Sequence, residues 1–522
     1  MQEKPERKIL ILTGRLCARK IAESLEGIDA EVLELPIDVA SLMTSNLIRS
    51  ELARHDLSRY AFILVPGRAR EDLDKLECTL GVPFYLGPVH FNDVRLVLEN
   101  LSEQQLSKRD PADLVLKGLL ARKAKDLFEK ARMVPAEPSP SSVLIGSGDS
   151  RIAVGRSFPP SIIAEIVDLP RKSTSTVLQE AQTMAASGAS IIDLGMIPGE
   201  DHPELIRSMV PVIQQATCVP VSVDTMREEE ILAAADAGAD LILSICGETL
   251  DLVPSIEPPV VLVPLEDPQT GRPRSRSEKL RLLARYSGVL EGHDVIVDPL
   301  LEPIGLGFSE SLRAFMDIQG SLPDRPSLMG LANAVELADV DSIGMNATLA
   351  AIAVESGVSL LLTTEASPKT QGSVAEISKA CQMMFYSVHN HVPPKNLGID
   401  LLMYKEKIRR SYPVRLPARK IRASPTTHGG AGSSQQFHIV LLDGHIHAVC
   451  HLGKDRIDII GTSANEIGDE LRLQGLLPDP RHALYVGTEL AKAELALAMG
   501  RSYIQDEPLL GGDRNGKEAG NC

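Results

Sequence analysis

The chain has no tryptophan, and only 9 phenylalanines and 8 tyrosines among 522 residues. Proteins that hold single-stranded nucleic acid stack its bases on exposed aromatic rings, so that class is excluded. A basic excess is missing as well. Lys plus Arg total 54 against 70 for Asp plus Glu, a formal net charge of −16, the wrong sign for a surface that displaces counterions from phosphates. No apolar run approaches the roughly 18 residues that a membrane span needs. Met1 to Lys8 is charged, and only Ile9–Leu12 is apolar before Thr13-Gly14, too short a core for a signal peptide. The seven cysteines are odd in number and include no Cys-x-x-Cys pair, the pattern of reduced thiols in a cytoplasmic protein. Gly-x-Gly-x-x-Gly and Gly-x-x-x-x-Gly-Lys-Ser/Thr are both absent, so Thr13-Gly14-Arg15 reads as a plain turn more readily than as a phosphate site.

What is present divides into three parts, and the charge divides with it. Residues 1–135 are neutral, residues 136–395 carry −17, and residues 396–522 carry +1. The first part, 1–135, alternates strand and helix: strands at 8–12, 31–35 and 60–65, a helix at 16–25 and a charged helical stretch over 101–132. It reads as a small α/β domain with a parallel sheet. Residues 133–142 are Pro- and Ser-rich, and 396–435, with its basic stretch at 405–422 and the Gly/Ser run at 426–434, reads as a linker. The last part, 436–522, contains two strand patterns about Asp443-Gly444, a favoured two-residue hairpin turn. Helices at 464–474 and 488–499 complete a small α/β module.

The middle part, 145–395, holds eight strand patterns: 162–167, 190–194, 220–223, 240–245, 260–264, 294–297, 327–330 and 358–362. Amphipathic helical stretches separate them. Eight strands alternating with helices over about 250 residues is what a (β/α)8 TIM barrel requires. Active sites of such barrels lie at the carboxyl ends of the strands, and polar residues stand there repeatedly: Asp168, Asp193, Ser222 with Asp224, Ser244, Asp298, Asn333 and Glu365. Each Asp could cap the next helix. Together they suit a pocket for a heterocycle whose amino group and ring N–H donate side by side to a carboxylate. A hard cation such as Mg²⁺ is the second possibility; no histidine accompanies the set, and no metal-ligating residues are assigned. His445, His447, Cys450 and His451 read as hairpin surface or core before they read as a metal site.

Several of these stretches carry a family resemblance. Gly188-Ala189-Ser190-Ile191-Ile192-Asp193-Leu194-Gly195, Val219-Pro220-Val221-Ser222-Val223-Asp224-Thr225, Ala237-Gly238-Ala239-Asp240 and Asp298-Pro299 with Gly305-Leu306-Gly307-Phe308 resemble the pterin-binding barrel of dihydropteroate synthases. The likeness implies that Asp224 and Asp298 hold a pterin ring, that Asp193, Ser222 and Ser244 line its pocket, and that Arg171 or Lys369 offsets phosphate charge beside Asp168. Where that family has Asn-x-Thr-Pro-Asp-Ser-Phe after strand one, this chain has Glu165 to Arg171; where it has Ser-Arg-Lys after strand seven, this chain has Leu331-Ala332-Asn333. Gly330 to Asn333 is similar to the sister branch of corrinoid methyltransferases, in which such an Asn bonds the pterin near its methyl-bearing nitrogen. The three-part layout is similar to the long dihydropteroate synthase-like proteins of methanogens and methylotrophs. The implied function is condensation of a hydroxymethyl-dihydropterin diphosphate with an arylamine in tetrahydromethanopterin biosynthesis. Methyl transfer from a methylated pterin, and a non-catalytic pterin-binding scaffold, stand as alternatives. The expected partners are the pterin itself, a second copy in a homodimer, and pathway enzymes on the flanking domains; neither nucleic acid nor membrane is expected.

Overall fold

The computed structural model describes residues 8–135, 139, 141–266, 275–403, 405, 436–452 and 455–509. It divides into two compact units, Met1–Glu365 with Gly372–Lys405, and Ala366–Gln371 with Glu406–Cys522.

The first unit opens with a parallel four-stranded sheet: β1 (Lys8–Gly14), β2 (Ala30–Leu35), β3 (Tyr60–Val65) and β4 (Phe84–Leu86), in spatial order 2-1-3-4. Alternation along β1 sends Leu10 and Leu12 into one core and Ile11 into another, so both faces of the sheet are covered. Gly14 ends β1, and an added Cβ would press on the carbonyls of Ile37 and Asp38. Those carbonyls already accept from the N–H groups of Arg15 and Leu16 at 2.9 and 3.4 Å. The first donors of helix Arg15–Ser24 are therefore engaged, which supports the turn reading of Thr13-Gly14-Arg15. The helix expected over 101–132 starts only at Ala112 and runs to Arg132. Pro111 sits at its cap, and a proline disfavours helical backbone in the residue before it.

Helix Ala112–Arg132 packs on Gly398, whose φ is +76° and whose added Cβ would fall on the backbone at Lys117 and Ala121. Leu397 is buried beside it, so residues 396–400, inside the stretch that reads as a linker, are held against this unit. Gly398→Ala should lower stability by at least about 2 kcal/mol, because neither strain nor a backbone clash can relax; the urea midpoint measures it. The basic and Gly/Ser-rich stretches of that linker, at 406–435, lie outside the described residues, as do 136–138, 140 and 267–274.

A two-stranded hairpin, β5 (Val143–Ile145) with β6 (Ile152–Val154), leads into eight parallel strands. These are β7 (Ser161–Ile166), β8 (Ile191–Gly195), β9 (Val221–Asp224), β10 (Leu241–Ile245), β11 (Val260–Leu262), β12 (Val295–Val297), β13 (Leu328–Gly330) and β14 (Leu360–Thr364). Their order is 12-11-10-9-8-7-14-13, and a parallel bridge from Val297 to Ser327 closes the ring. All eight expected strands form, with helices between them: the fold is a (β/α)8 barrel. Ile162, Ala164, Ile166, Ile192, Leu194, Val221 and Val223 face the surrounding helices. Ile163, Ile191, Leu241, Val261, Ile296, Leu328 and Leu360 point inward and pack against Val143, Ile145 and Val154 of the hairpin. The hairpin thus seals one end of the barrel with apolar side chains and leaves the carboxyl end for polar ones.

The C-terminal unit contains an antiparallel sheet of β15 (Gln436–Leu442), β16 (His445–Leu452) and β17 (Asp455–Gly461). The Asp443-Gly444 turn has positive φ at both residues, 48° and 73°, the backbone of a type I′ hairpin. The third strand escaped the sequence pattern because Asp455, Arg456 and Asp458 break its apolar run. Helices Ala464–Leu473 and Pro480–Ala498 cover one face; the second begins eight residues earlier than expected, at a proline suited to a first helical turn.

Candidate functional site

Strand parity builds the site. In β7 to β9 the polar residues of inward-facing parity are Glu165, Asp193, Ser222 and Asp224. The register sets Glu165 beside Asp193, Asp193 beside Ser222, and Gly195 beside Asp224. Glu165, Asp193 and Asp224 each bring a carboxylate oxygen within 4.8 Å of the others. Asp193 is fully buried, and Ser222 Oγ donates to its Oδ1 at 2.5 Å. Ser244, one residue before the end of β10, has a hydroxyl that opposes the rise of the Asp224 carboxyl.

Asp298 stands one residue past β12 and is 7% exposed. Its Oδ1 accepts from the Leu300 N–H at 2.7 Å. Leu300 holds φ at +64°, a costly conformation for a branched side chain. Asp168 and Ser244, after β7 and within β10, are also left-handed, at 52° and 64°. Three such residues at the carboxyl ends of barrel strands mark backbone held in place by its surroundings, as functional sites often require. Lys279, on helix Arg276–Val289, is buried, donates to the Leu300 carbonyl at 3.3 Å and pairs with Glu302.

Burial shifts this group in one direction. It raises Asp298 to about 7, with Asp224 and Glu302 adding to the rise and the Leu300 N–H and Lys279 opposing it. Burial also raises Glu165, to about 8, reinforced by Asp224, Glu336 and Asp168 and opposed by Lys172. Asp193 and Asp224 are raised chiefly by burial, each opposed by its serine hydroxyl. Asp298 therefore keeps its proton in the folded state to a higher pH than in the unfolded chain. Stability of the unliganded protein should fall as pH rises from about 4 to about 7, by up to about 4 kcal/mol from this residue. Asp298→Asn should flatten that part of the profile in chemical denaturation across pH.

The remaining expected residues are placed differently. Asp168 and Arg171 are exposed and pair with one another at 3.6 Å. Asn333 is exposed on the short helix Ala332–Glu336 that follows β13. Lys369 is exposed in Ala366–Gln371, the segment that groups with the C-terminal unit. Glu165 and Lys279 are members that the sequence reading passed over. On β16, His445, His447 and His451 share a face while Cys450 turns into the core, and His447 Nδ1 lies 2.9 Å from Asp458; the four do not converge.

Glu230 fixes the loops around the site. Fully buried, it accepts from Thr225 Oγ1 and from the His202 N–H at 2.9 Å, tying the end of β9 to the loop after β8. The arrangement is a set of acceptors inside the carboxyl end of a barrel, able to take hydrogen-bond donors or a cation.

Three stretches of the chain match known families. Residues 167–360 match a family described as pterin binding enzyme, residues 7–89 a family of unknown function, and residues 437–506 a family described as PterinBD-DUF4346. The chain is 32% identical to an uncharacterized protein of Methanocaldococcus jannaschii, over 96% of this chain and 98% of that one. It is 30% identical to the dihydropteroate synthase of a Synechocystis species, over 29% of this chain and 60% of that enzyme. Among solved structures, Xanthomonas albilineans dihydropteroate synthase in complex with indole-2-carboxylic acid and 6-chloroguanine is 19% identical, with a TM-score of 0.38 over 48% of this chain and 99% of that one. With a relative matched along nearly its whole length and a pterin-binding model matched on the barrel, the chain belongs to the dihydropteroate synthase-like, pterin-binding family.

Proposed function

We propose that the barrel binds a reduced pterin and acts as a transferase of the dihydropteroate synthase type. It would join a hydroxymethyl-dihydropterin diphosphate to an arylamine in the synthesis of tetrahydromethanopterin, a folate analogue. The observation that carries the reading is the pair Asp224 and Asp298, inward carboxylates at two strand ends of a closed barrel. A pterin offers an amino group beside a ring N–H, and a carboxylate accepts both in parallel. In this reading Asp298 takes that edge of the ring and Asp224 a second donor. Asp193, Ser222 and Ser244 line the pocket, and Arg171 offsets phosphate charge at its mouth. Bond formation replaces diphosphate on the exocyclic carbon by the arylamine nitrogen. The chain's own contribution is to orient the ring and exclude water.

Protein incubated with both substrates should release diphosphate and form the condensed pterin in equal amounts. Failure to form product, with a reduced pterin bound, would reject condensation. The likeness of Gly330 to Asn333 to the corrinoid methyltransferases, with Asn333 just past β13, supports one second reading. In it, Asn333 assists methyl loss from a methylated pterin to a corrinoid. Asn333→Ala should then lower the methyl-transfer rate at least tenfold while changing pterin affinity less than threefold. Equal loss of both would argue against it.

A further inference from the structure

Glu165, Asp193 and Asp224 raise a question that pterin recognition leaves open. The ring needs acceptors at the rim, yet Glu165 and Asp193 stand one layer below Asp224, and all three bring ligand oxygens within 4.8 Å of one another. Asp193 is 0% exposed, and only one of its oxygens is used: Oδ1 accepts from Ser222, while Oδ2 has no hydrogen-bond partner. A buried carboxylate oxygen without a donor is costly. Among the described residues no ion pair reaches any of the three. Lys172, whose charge bears on Glu165, is bonded to Glu180 at 2.6 Å, and Lys279 is paired with Glu302. Gly195, opposite Asp224, makes room for the Glu165 carboxylate, on which an added side chain would fall, so the glycine lets Glu165 turn in among the other two. Acceptors are gathered, and the protein supplies no cation to satisfy them.

We propose that Glu165, Asp193 and Asp224 form a binding site for a hard divalent cation at the inner end of the pocket. The donors are all oxygen, which suits Ca²⁺, Mn²⁺ or Mg²⁺ and excludes soft metals. Oxygens bound to one ion at about 2.4 Å can stand up to about 4.8 Å apart, the spread seen here. Mg²⁺, with bonds near 2.1 Å, would require the three to draw in by about half an ångström. Asp193 Oδ2 would gain its missing partner, and Ser222 would keep Oδ1 fixed and so aim the other oxygen. Water completes the coordination shell. Asp224 has two oxygens, so one can face the ion while the other remains available at the rim.

The test uses the full-length protein, stripped with EDTA and given metal alone, without any pterin. Titrations with MnCl₂, CaCl₂ and MgCl₂ are followed by calorimetry, and Mn²⁺ also by electron paramagnetic resonance. One Mn²⁺ or Ca²⁺ per chain is expected, with a rise in Tm, and binding at least about tenfold weaker in Glu165→Gln and in Asp193→Asn. Both substitutions keep the side-chain shape, and a wild-type circular dichroism spectrum confirms that they fold. No binding to the folded wild-type protein at millimolar metal, or binding unchanged in both variants, would overturn the proposal and leave the cluster to protons alone. Pterin bound by the EDTA-treated protein would leave the proposed function standing in that event.

Discussion

Asp298→Ala should weaken binding of a reduced pterin by at least a hundredfold while the protein stays folded. The carboxylate would accept two charge-assisted hydrogen bonds from one edge of the ring, each contributing about 1.5–3 kcal/mol. Losing both removes about 3 kcal/mol or more, which corresponds to two decades in Kd. Asp298→Asn should lose nearly as much affinity. The amide has a similar outline but turns an NH₂ toward a ring donor, leaving both unsatisfied. The same variant should be more stable than wild type at pH 8, because burial already disfavours the ionised form of Asp298. Affinity and stability then move in opposite directions on one substitution, which a merely damaged fold cannot produce. Calorimetric titration and urea denaturation on the same samples measure the two. The wild-type affinity should decline below about pH 7, as Asp298 takes up the proton that the ring must displace.

Lys279→Met carries the second large effect. The ammonium is buried, holds the Leu300 carbonyl, and pairs with Glu302. Removing it strands Glu302, 24% exposed, and frees a loop whose Leu300 is held at positive φ. Breaking a buried pair in this way costs about 3 kcal/mol. Asp298 would lose a cation that opposes its rise, so its pKa should climb further. Pterin affinity at pH 7 should fall by about tenfold and recover toward wild type at pH 9, where Asp298 is ionised regardless. A loss that persists at pH 9 would show that Lys279 acts on the loop's shape alone.

Much of the barrel is readable from the chain because its signals are local. Runs such as Ser190–Leu194 and Val358–Leu362 are β-branched or Leu-rich, and each lies within one residue or two of an observed strand. Asp193, Asp224 and Asp298 follow from the same pattern. Glu165 was also within reach. Ile162, Ala164 and Ile166 face outward, so strand parity alone turns Ile163 and Glu165 inward; attention to the strand's end favoured Asp168, which is exposed and paired with Arg171. Lys279 gave no local sign, since a lysine on an amphipathic helix reads as solvated surface. Its burial depends on Leu300 and Glu302, more than 20 residues away. The hairpin of Val143–Ile145 and Ile152–Val154 was hidden because three-residue strands are too short to show a period. The extra strand β17 was hidden by its charges. Local pattern thus exposes the elements and the strand-end acceptors, while long-range packing decides which charges are enclosed.

The most direct test is calorimetric titration of 7,8-dihydropterin into the full-length protein and into Asp224→Ala. One site per chain in the wild type, and none in the variant at the same concentrations, is the predicted result. A folded wild-type protein that binds no oxidised, reduced or methylated pterin would contradict the account.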